Sequence, residues 1–341
     1  MNKNRYILRK ERFGGFLFDR NSAALKAVSN DDFELFIKKW EHSVDVIINQ
    51  ELIDNTAIPI TAPIKAFLAL TDYCNLNCTH CSVDSSSHKK QHLPYKDIEL
   101  LLRQFVELGI FEIGINGGEP VLHPEFFSIV DLIKYFGFII HLNTNGVYSA
   151  ITADRLSKAG IDKIKVSLDG LENSHDTIRG KGTFRKSLQT IEHLLRKGNC
   201  VRVNYTMTHE NKKDWRGLIK LCDNLGCDIK IAPLIFTGRA KNNLENYKIS
   251  TSEGRDMCQS IIAMKDNNDL KISVEVTADI VEDDCFKVSQ YNYQFGLCGS
   301  KIFDISIHNN GMLYCTGHQT DFDSDGPIGN IKDMPIIKLW E

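Results

Sequence analysis

Thr71-Asp72-Tyr73-Cys74-Asn75-Leu76-Asn77-Cys78-Thr79-His80-Cys81 directly follows the apolar run Ile64–Leu70. Three residues separate the first two cysteines and two separate the next pair. Three thiolates in one short loop can hold three corners of a cubane iron–sulfur cluster. No fourth cysteine is near, so one iron would keep an open position for a non-protein ligand, as a catalytic zinc does. Zinc itself prefers four ligands, and His80, adjacent to Cys81, cannot readily join the set. Inert packing is common for single cysteines, but three within eight residues on a strand-end loop argue against it. The spacing favours iron–sulfur chemistry, with zinc or simple packing as the alternatives.

Outward from this loop the sequence alternates. Strands are predicted at Ile64–Leu70, Phe111–Ile115, Phe138–Leu142, Lys163–Leu168, Val201–Met207 and Asp228–Ala232. Helices are predicted between them at Tyr95–Leu108, Pro124–Tyr135, Ala153–Lys158, Phe184–Lys197 and Trp215–Leu225. Six βα units predict an α/β fold, a partial (βα)6 barrel over residues 63–235 with helices on its outer face. Two more units would close it. Parallel folds bind ligands at the C-terminal ends of their strands, which is where the cysteine loop falls.

Residues 1–62 read as a small α+β extension. Phe13-Gly14-Gly15-Phe16-Leu17-Phe18-Asp19 predicts a turn into a strand. Phe33, Phe36, Trp40, Val44 and Ile47 recur at helical spacing after a Ser29 or Asn30 cap. Pro59 and Pro63 mark the boundary. Residues 236–341 look less regular and carry Cys258, Cys285, Cys298 and Cys315. The chain stops at Lys338-Leu339-Trp340-Glu341 without a cap or polar tail, which points to a truncated C-terminal region.

Composition narrows the classes. The 341 residues are 42% hydrophobic and 25% charged, which allows a sizeable core and excludes disorder as the main content. A net charge of −3 gives no reason to expect nucleic acid or an anionic membrane as partner. No apolar run spans a bilayer and the N-terminus has no signal-peptide core, so a cytoplasmic location is expected. A reducing compartment turns ten cysteines toward metal or redox roles rather than disulfides. Cys200, Cys222 and Cys227 read mainly as packing, although a thiol near the site could donate a hydrogen atom.

The loop Cys74-x3-Cys78-x2-Cys81 resembles the signature of radical S-adenosylmethionine (SAM) enzymes, at that family's usual place after the first barrel strand. The resemblance implies a 4Fe-4S cluster whose open iron chelates SAM. An electron from the cluster cleaves SAM to methionine and a 5′-deoxyadenosyl radical, which abstracts hydrogen from substrate. The cofactor carries the hard chemistry and the protein supplies orientation.

Further motifs follow the later strands in order, from Thr71 to Pro233. Asn116-Gly117-Gly118-Glu119-Pro120 resembles the family's GGE turn, which implies that Gly117, Gly118 and Glu119 receive the SAM ammonium. Asn143 and Thr144 in Asn143-Thr144-Asn145-Gly146, and Ser167 and Asp169 in Ser167-Leu168-Asp169-Gly170, correspond to residues near the ribose and carboxylate. His175-Asp176-Thr177-Ile178-Arg179-Gly180-Lys181-Gly182-Thr183-Phe184 resembles a segment of peptide-acting members, with Arg179 as partner of the SAM carboxylate. His80 joins the cofactor-binding candidates, and Ile231 is a candidate for apolar contact with adenine.

Cys298, then Gly311 and Cys315, then Ile328-Gly329-Asn330-Ile331, resemble the start of a SPASM or twitch auxiliary-cluster domain over 236–341. Three residues separate Gly311 from Cys315 where the family usually has four, and no cysteine follows Cys315. One auxiliary iron–sulfur cluster is therefore expected, on Cys298 and Cys315 with Cys285 or Cys258 as extra ligands. A zinc site or ordinary thiols stand beside it.

The leading expectation is an enzyme maturing a ribosomally made precursor peptide, by a thioether or carbon–carbon crosslink or by epimerisation. The 1–62 extension resembles a reduced precursor-recognition (PqqD-like) domain or covers one end of the barrel. A flavodoxin- or ferredoxin-type donor would supply electrons. Radical chemistry on a small tetrapyrrole-like molecule, and a non-catalytic protein with a degenerate SAM site, are the competing readings.

Overall fold

The computed structural model describes residues 4–40, 43–55, 60–243, 247–267, 270–276, 303–314 and 326–340. The N-terminal part is a four-stranded sheet. β1 (Tyr6–Glu11), β2 (Gly14–Asp19) and β3 (Ala24–Ser29) form an antiparallel meander, followed by helix α1 (Asn30–Trp40). β4 (Val44–Ile47) pairs parallel with β1, giving the order β3-β2-β1-β4, and α2 (Gln50–Asn55) follows. The helical spacing of Phe33, Phe36 and Trp40 is realised in α1. Val44 and Ile47 continue that spacing by coincidence: they belong to β4, where β-branched residues suit a pleated strand beside β1.

The barrel begins at β5 (Lys65–Ala69), followed by α3 (Tyr95–Leu108), β6 (Glu112–Asn116), α4 (Phe126–Phe136), β7 (Ile139–Thr144), α5 (Ala150–Ser157) and β8 (Lys163–Ser167). Then come α6 (Glu172–Arg179), α7 (Thr183–Arg196), β9 (Val201–Met207), α8 (Trp215–Leu225) and β10 (Asp228–Pro233). β5 to β10 are parallel and adjacent in chain order. The helices bury one face each against the sheet; α3 contributes Ile98, Leu101, Leu102, Phe105 and Leu108. This is the predicted (βα)6 arrangement, with α6 as an additional helix within the segment leading to Arg179.

Residues beyond 235 extend the sheet on both sides. α9 (Thr251–Asn267) precedes β11 (Val274–Val276), which pairs parallel with β10. β12 (Asp304–Ile307) pairs parallel with β5, and β13 (Met312–Tyr314) and β14 (Gly329–Asn330) continue antiparallel. α10 (Ile336–Trp340) packs on α3, where the Ile336 amide donates to Gln104 Oε1 at 2.7 Å.

The N-terminal sheet plugs the end of the barrel at which the strands begin. Ile7, Phe16, Phe18, Ile60 and Ile64 pack with Phe111 and Ile139, the residues at the starts of β6 and β7. Arg9, only 1% exposed, donates to Glu11 and to the carbonyls of Ala62, Pro63 and Gly109 at 2.7–2.9 Å. Among the described residues, no helix is long and apolar enough to cross a membrane.

Candidate active site

The cysteine loop leaves the C-terminal end of β5 and is held on every side. The Cys74 amide donates to Ser86 O at 3.1 Å and the Thr79 amide to Ile178 O at 3.0 Å. Arg239, beyond β10, donates from Nε to Cys78 O (3.0 Å), from Nη2 to Ser85 O (2.6 Å) and from Nη1 to Asp84 (2.7 Å). Its amide reaches Cys81 O at 2.9 Å, and Tyr247 donates its hydroxyl to Thr79 Oγ1 at 2.5 Å. These contacts fix the loop before any ligand arrives, which lowers the ordering cost of binding. Cys74 and Cys78 are buried and Cys81 is half-buried. Burial pushes the Cys74 thiol up to about 12 and raises Cys78 as well, so thiolate formation there needs the positive charge of a metal.

The turn after β6 packs directly on this loop. The Gly118 amide donates to Thr71 O (2.6 Å) and the Glu119 amide to Tyr73 O (2.9 Å). A Cβ on Gly118 would stand 2.2 Å from Tyr73 O, and one on Gly117, at φ +134°, 2.5 Å from Thr71 O. Only glycine permits this approach. Glu119 is fully buried. Its Oε1 accepts from Thr144 Oγ1 and its Oε2 from the Asn145 amide, both at 2.7 Å. Burial outweighs these bonds and raises its pKa to about 7.

Asp169, at the end of β8, is the hub of a second network. Its Oδ2 accepts from Arg179 Nε and lies 2.8 Å from His80 Nε2; its Oδ1 accepts from the Thr206 amide at 2.9 Å. Burial opposes its charge, yet Arg179 and His80 hold its pKa far below the usual carboxylate range. Arg179, at the end of α6, also directs Nη1 toward Cys78 Sγ at 4.0 Å.

These elements surround a cavity of about 330 Å³ at the C-terminal end of the barrel. Of the residues singled out from sequence, Cys74, Cys78, Cys81, His80, Gly117, Gly118, Asn143, Thr144, Ser167 and Arg179 line it. Glu119 and Asp169 lie one layer behind the wall, fully buried. Ile231 is in the core, while Ala232 and Pro233, just after it, face the cavity. Cys258 sits buried on α9, outside the cavity lining. Cys285, Cys298 and Cys315 fall outside the described residues.

Cys200 and Cys227 immediately precede β9 and β10, at the opposite end from the cavity, and Cys222 packs in the core from α8. None of the three is placed to donate a hydrogen atom to a substrate in the cavity. Sequence reasoning passed over Asn145 and Arg239. Asn145 donates to Asn75 Oδ1 at 3.0 Å and to Cys74 Sγ at 3.7 Å, tying the third turn to the cysteine loop. It stood in the quoted Asn143–Gly146 turn, so its signal was present. Arg239 lies more than 150 residues from its partners, and no local pattern marks it.

The donor set fits the implied cofactors. Three thiols open on one cavity with an arginine and a glycine turn at its edge. Three cavity-lining groups, His80 Nδ1, Ser85 Oγ and Asn116 Oδ1, are buried without a hydrogen-bond partner, as the wall of a polar ligand site requires. Among the described residues, no three His, Cys, Asp or Glu side chains converge as a single metal ion would need.

Residues 68–222 match the model of the radical SAM superfamily. This segment is a radical SAM domain. The radical SAM segment lies within longer similarities. The chain is 24% identical over 295 residues to a pre-heme d1 synthase of Dinoroseobacter shibae, covering 80% of this chain and 71% of that protein. It is 26% identical over 221 residues to the sporulation killing factor maturation protein SkfB of Bacillus subtilis, covering 64% of this chain and 53% of the relative. The fold superimposes on Streptococcus suis SuiB bound to the precursor peptide SuiA with a TM-score of 0.75 at 17% identity, over 98% of this chain and 87% of that one. The radical SAM fold thus comes with a similar setting of flanking elements.

Proposed function

We propose that this chain is a radical SAM enzyme that abstracts hydrogen from a Cα or Cβ of a ribosomally made precursor peptide. The outcome is a thioether or carbon–carbon crosslink, or an epimerised residue. The observation that carries the reading is the convergence of Cys74, Cys78 and Cys81 on a cavity edged by Gly117, Gly118 and Arg179.

Cys74, Cys78 and Cys81 would hold three irons of a 4Fe-4S cluster and leave the fourth for SAM. Bound together, cluster and SAM supply a radical able to take a hydrogen atom from substrate. The protein's part is binding, orientation and exclusion of water. Gly117 and Gly118 would bring backbone close to the SAM ammonium, and an ammonium near Glu119 would favour its ionised form. Arg179, oriented by Asp169, offers a fork to the SAM carboxylate. Asn143 and Ser167 would lie toward the ribose or carboxylate, and Ala232 and Pro233 would offer apolar contact. Residues 236–341 serve as the auxiliary-cluster region, with one cluster on Cys298 and Cys315 and Cys285 or Cys258 as further ligands. A flavodoxin- or ferredoxin-type protein delivers the electron, in the reducing cytoplasm that such clusters need.

The peptide assignment draws support from the relative named as a maturation protein and from the sheet at 1–62. β3 is an edge strand that pairs only with β2 among the described residues. A leader segment can add there as a further strand. The match to a pre-heme d1 synthase favours, as second reading, a small tetrapyrrole-like substrate.

The test is anaerobic reconstitution with iron and sulfide, then measurement of iron and 5′-deoxyadenosine after reduction with SAM. About eight irons per chain fit two cubanes and about four fit one. Alanine at Cys74, Cys78 or Cys81 should abolish deoxyadenosine. Folded wild-type protein without iron or deoxyadenosine overturns the enzymatic reading. Co-expression with a short peptide encoded beside the gene, read by mass spectrometry, separates the two substrates: an unchanged peptide mass counts against the first.

A further inference from the structure

The floor of the barrel is charged rather than apolar. Side chains of the inner face alternate along each strand, so the residue two positions before a cavity-lining residue lies beneath it, about 6.6 Å deeper. Lys165 stands in this relation to Ser167 on β8, and Arg202, its register partner on β9, lies two positions before Asn204 and four before the cavity-lining Thr206. Lys65, His141, Lys230, Glu112, Glu275 and Asp304 face the same space from the neighbouring strands.

Among the described residues, most of these charges are matched within 4 Å; Asp304 and Lys165 are not. Lys65 Nζ lies 3.2 Å from Glu112 Oε2 and 3.0 Å from His141 Nδ1. Arg202 Nη1 and Lys230 Nζ both reach Glu275, at 2.9 and 2.6 Å. Lys165 is different. It is 8% exposed and, among the described residues, makes no hydrogen bond and no ion pair within 4 Å. Burial and the neighbouring Lys65, Arg202 and Lys230 disfavour its ammonium, against a weaker pull from the Glu112 carboxylate. Arg202 Nε is likewise buried without a partner. Lys165, without a partner, and the buried, unsatisfied Arg202 Nε therefore belong to register partners on paired strands. Phe67, packed over Gly114 so closely that a Cβ there would meet its ring at 2.4 Å, fills the β5–β6 side of the lumen. The β8–β9 side is left to Lys165. Below, Arg9 and the apolar plug close the barrel, so the open side of this floor is the one under the cavity-lining Ser167 and Thr206.

An unpaired buried ammonium is costly, and a buried donor is costly until an acceptor reaches it. We propose that Lys165, with Arg202 Nε beside it, forms a subsite for a carboxylate of the substrate, inserted from the cavity to the barrel floor. This deepens the proposed function and rests on it: in a peptide the carboxylate belongs to an aspartate or glutamate near the reacting residue, or to the chain terminus. The substrate is thereby held from below while SAM occupies the strand ends above.

The probes are three small molecules titrated into the reconstituted protein and followed by ligand-observed NMR. N-acetylglutamate amide carries a side-chain carboxylate, N-acetylglutamine a terminal one, and N-acetylglutamine amide neither. The wild type should bind at least one acid about tenfold or more tighter than the neutral amide, because donors built for an anion reject its neutral isostere. The preferred acid tells side chain from terminus. Lys165→Met should erase the difference and melt no lower than wild type, since it removes an unpaired buried charge. Lys165→Gln is a second neutral variant should Met not fold. Equal binding of all three probes by the wild type, or a preference that survives both substitutions, overturns the proposal. No reductant is needed, so deoxyadenosine formation in the same preparation reports separately on the enzymatic reading.

Discussion

The two ends of the barrel both bury ions, and they do so in opposite ways. At the closed end, Arg9 spends Nε, Nη1 and Nη2 on Glu11 and three backbone carbonyls, and Glu11 also accepts the Thr61 amide at 2.6 Å. Phe18 stacks on Phe111 beside it, with ring centroids 4.7 Å apart. At the open end, Asp169 gathers Arg179 and His80, yet His80 Nδ1 is left without a partner and Arg179 turns Nη1 toward a cysteine sulfur. A buried ion satisfied by the chain itself fastens the fold. A buried ion left with spare donors prepares a place for something else.

The sharpest way to break the open end is Gly118→Ala. Its Cβ would meet backbone, not a yielding side chain, so the turn or the cysteine loop must move. We expect iron affinity to fall about 10–100-fold, as when groups supporting metal ligands are lost, with deoxyadenosine falling alongside. Iron per chain after desalting reads it; normal iron would show that the contact between turn and loop is dispensable. The matching attack on the closed end is Arg9→Ala. It leaves Glu11 charged and buried, and should cost about 3–5 kcal/mol in chemical denaturation. Folded variant should still cleave SAM. A loss below about 1 kcal/mol would mean that the plug, not the ion pair, holds this end.

The sequence showed the two ends unequally. The open end is built from turns whose residues are close in sequence: Cys74 to Cys81, Gly117 to Glu119, Asn143 to Gly146. Loop chemistry of this sort is local and legible. The periodicity of β5 to β10 and the helices between them was legible for the same reason. The closed end depends on Arg9 meeting carbonyls 53 to 100 residues away, and nothing around Arg9 announces it. Arg239 eluded reading in the same way. The run through Val44 and Ile47 misled because a β-branched strand placed after a helix kept its spacing. The floor charges Lys65, Lys165 and Arg202 are ordinary polar positions of alternating strands until the sheet curls them together.

Glu119 tests the open end more gently. Its folded pKa, about 7, lies above the roughly 4.5 of a free carboxyl. The folded state therefore holds its proton more tightly than the unfolded state. The stability this provides is complete below about pH 4.5 and gone once pH has risen past 7, a change of roughly 3 kcal/mol. Glu119→Gln should flatten the fall in stability across that window. Denaturation midpoints at pH 5 and pH 7.5 measure it; an unchanged slope would mean that Thr144 and Asn145 hold the carboxylate ionised throughout.

The smallest effect belongs to the closed end. Cys200 is exposed, in the turn before β9, with the length of that strand between it and the cavity. Cys200→Ser should change stability by no more than about 0.5 kcal/mol and leave deoxyadenosine formation intact. If the product is an epimer, a hydrogen donor must lie near the reacting carbon, so a thiol at this end cannot serve without crossing the barrel floor. Product yield with Cys200→Ser therefore decides where the donor sits. Undiminished yield keeps the chemistry at the open end, where the Cys74 to Cys81 loop and the cavity are. A selective loss of product, with SAM cleavage unimpaired, would require substrate to reach the end that Arg9 closes, and the contrast between the two ends would fail.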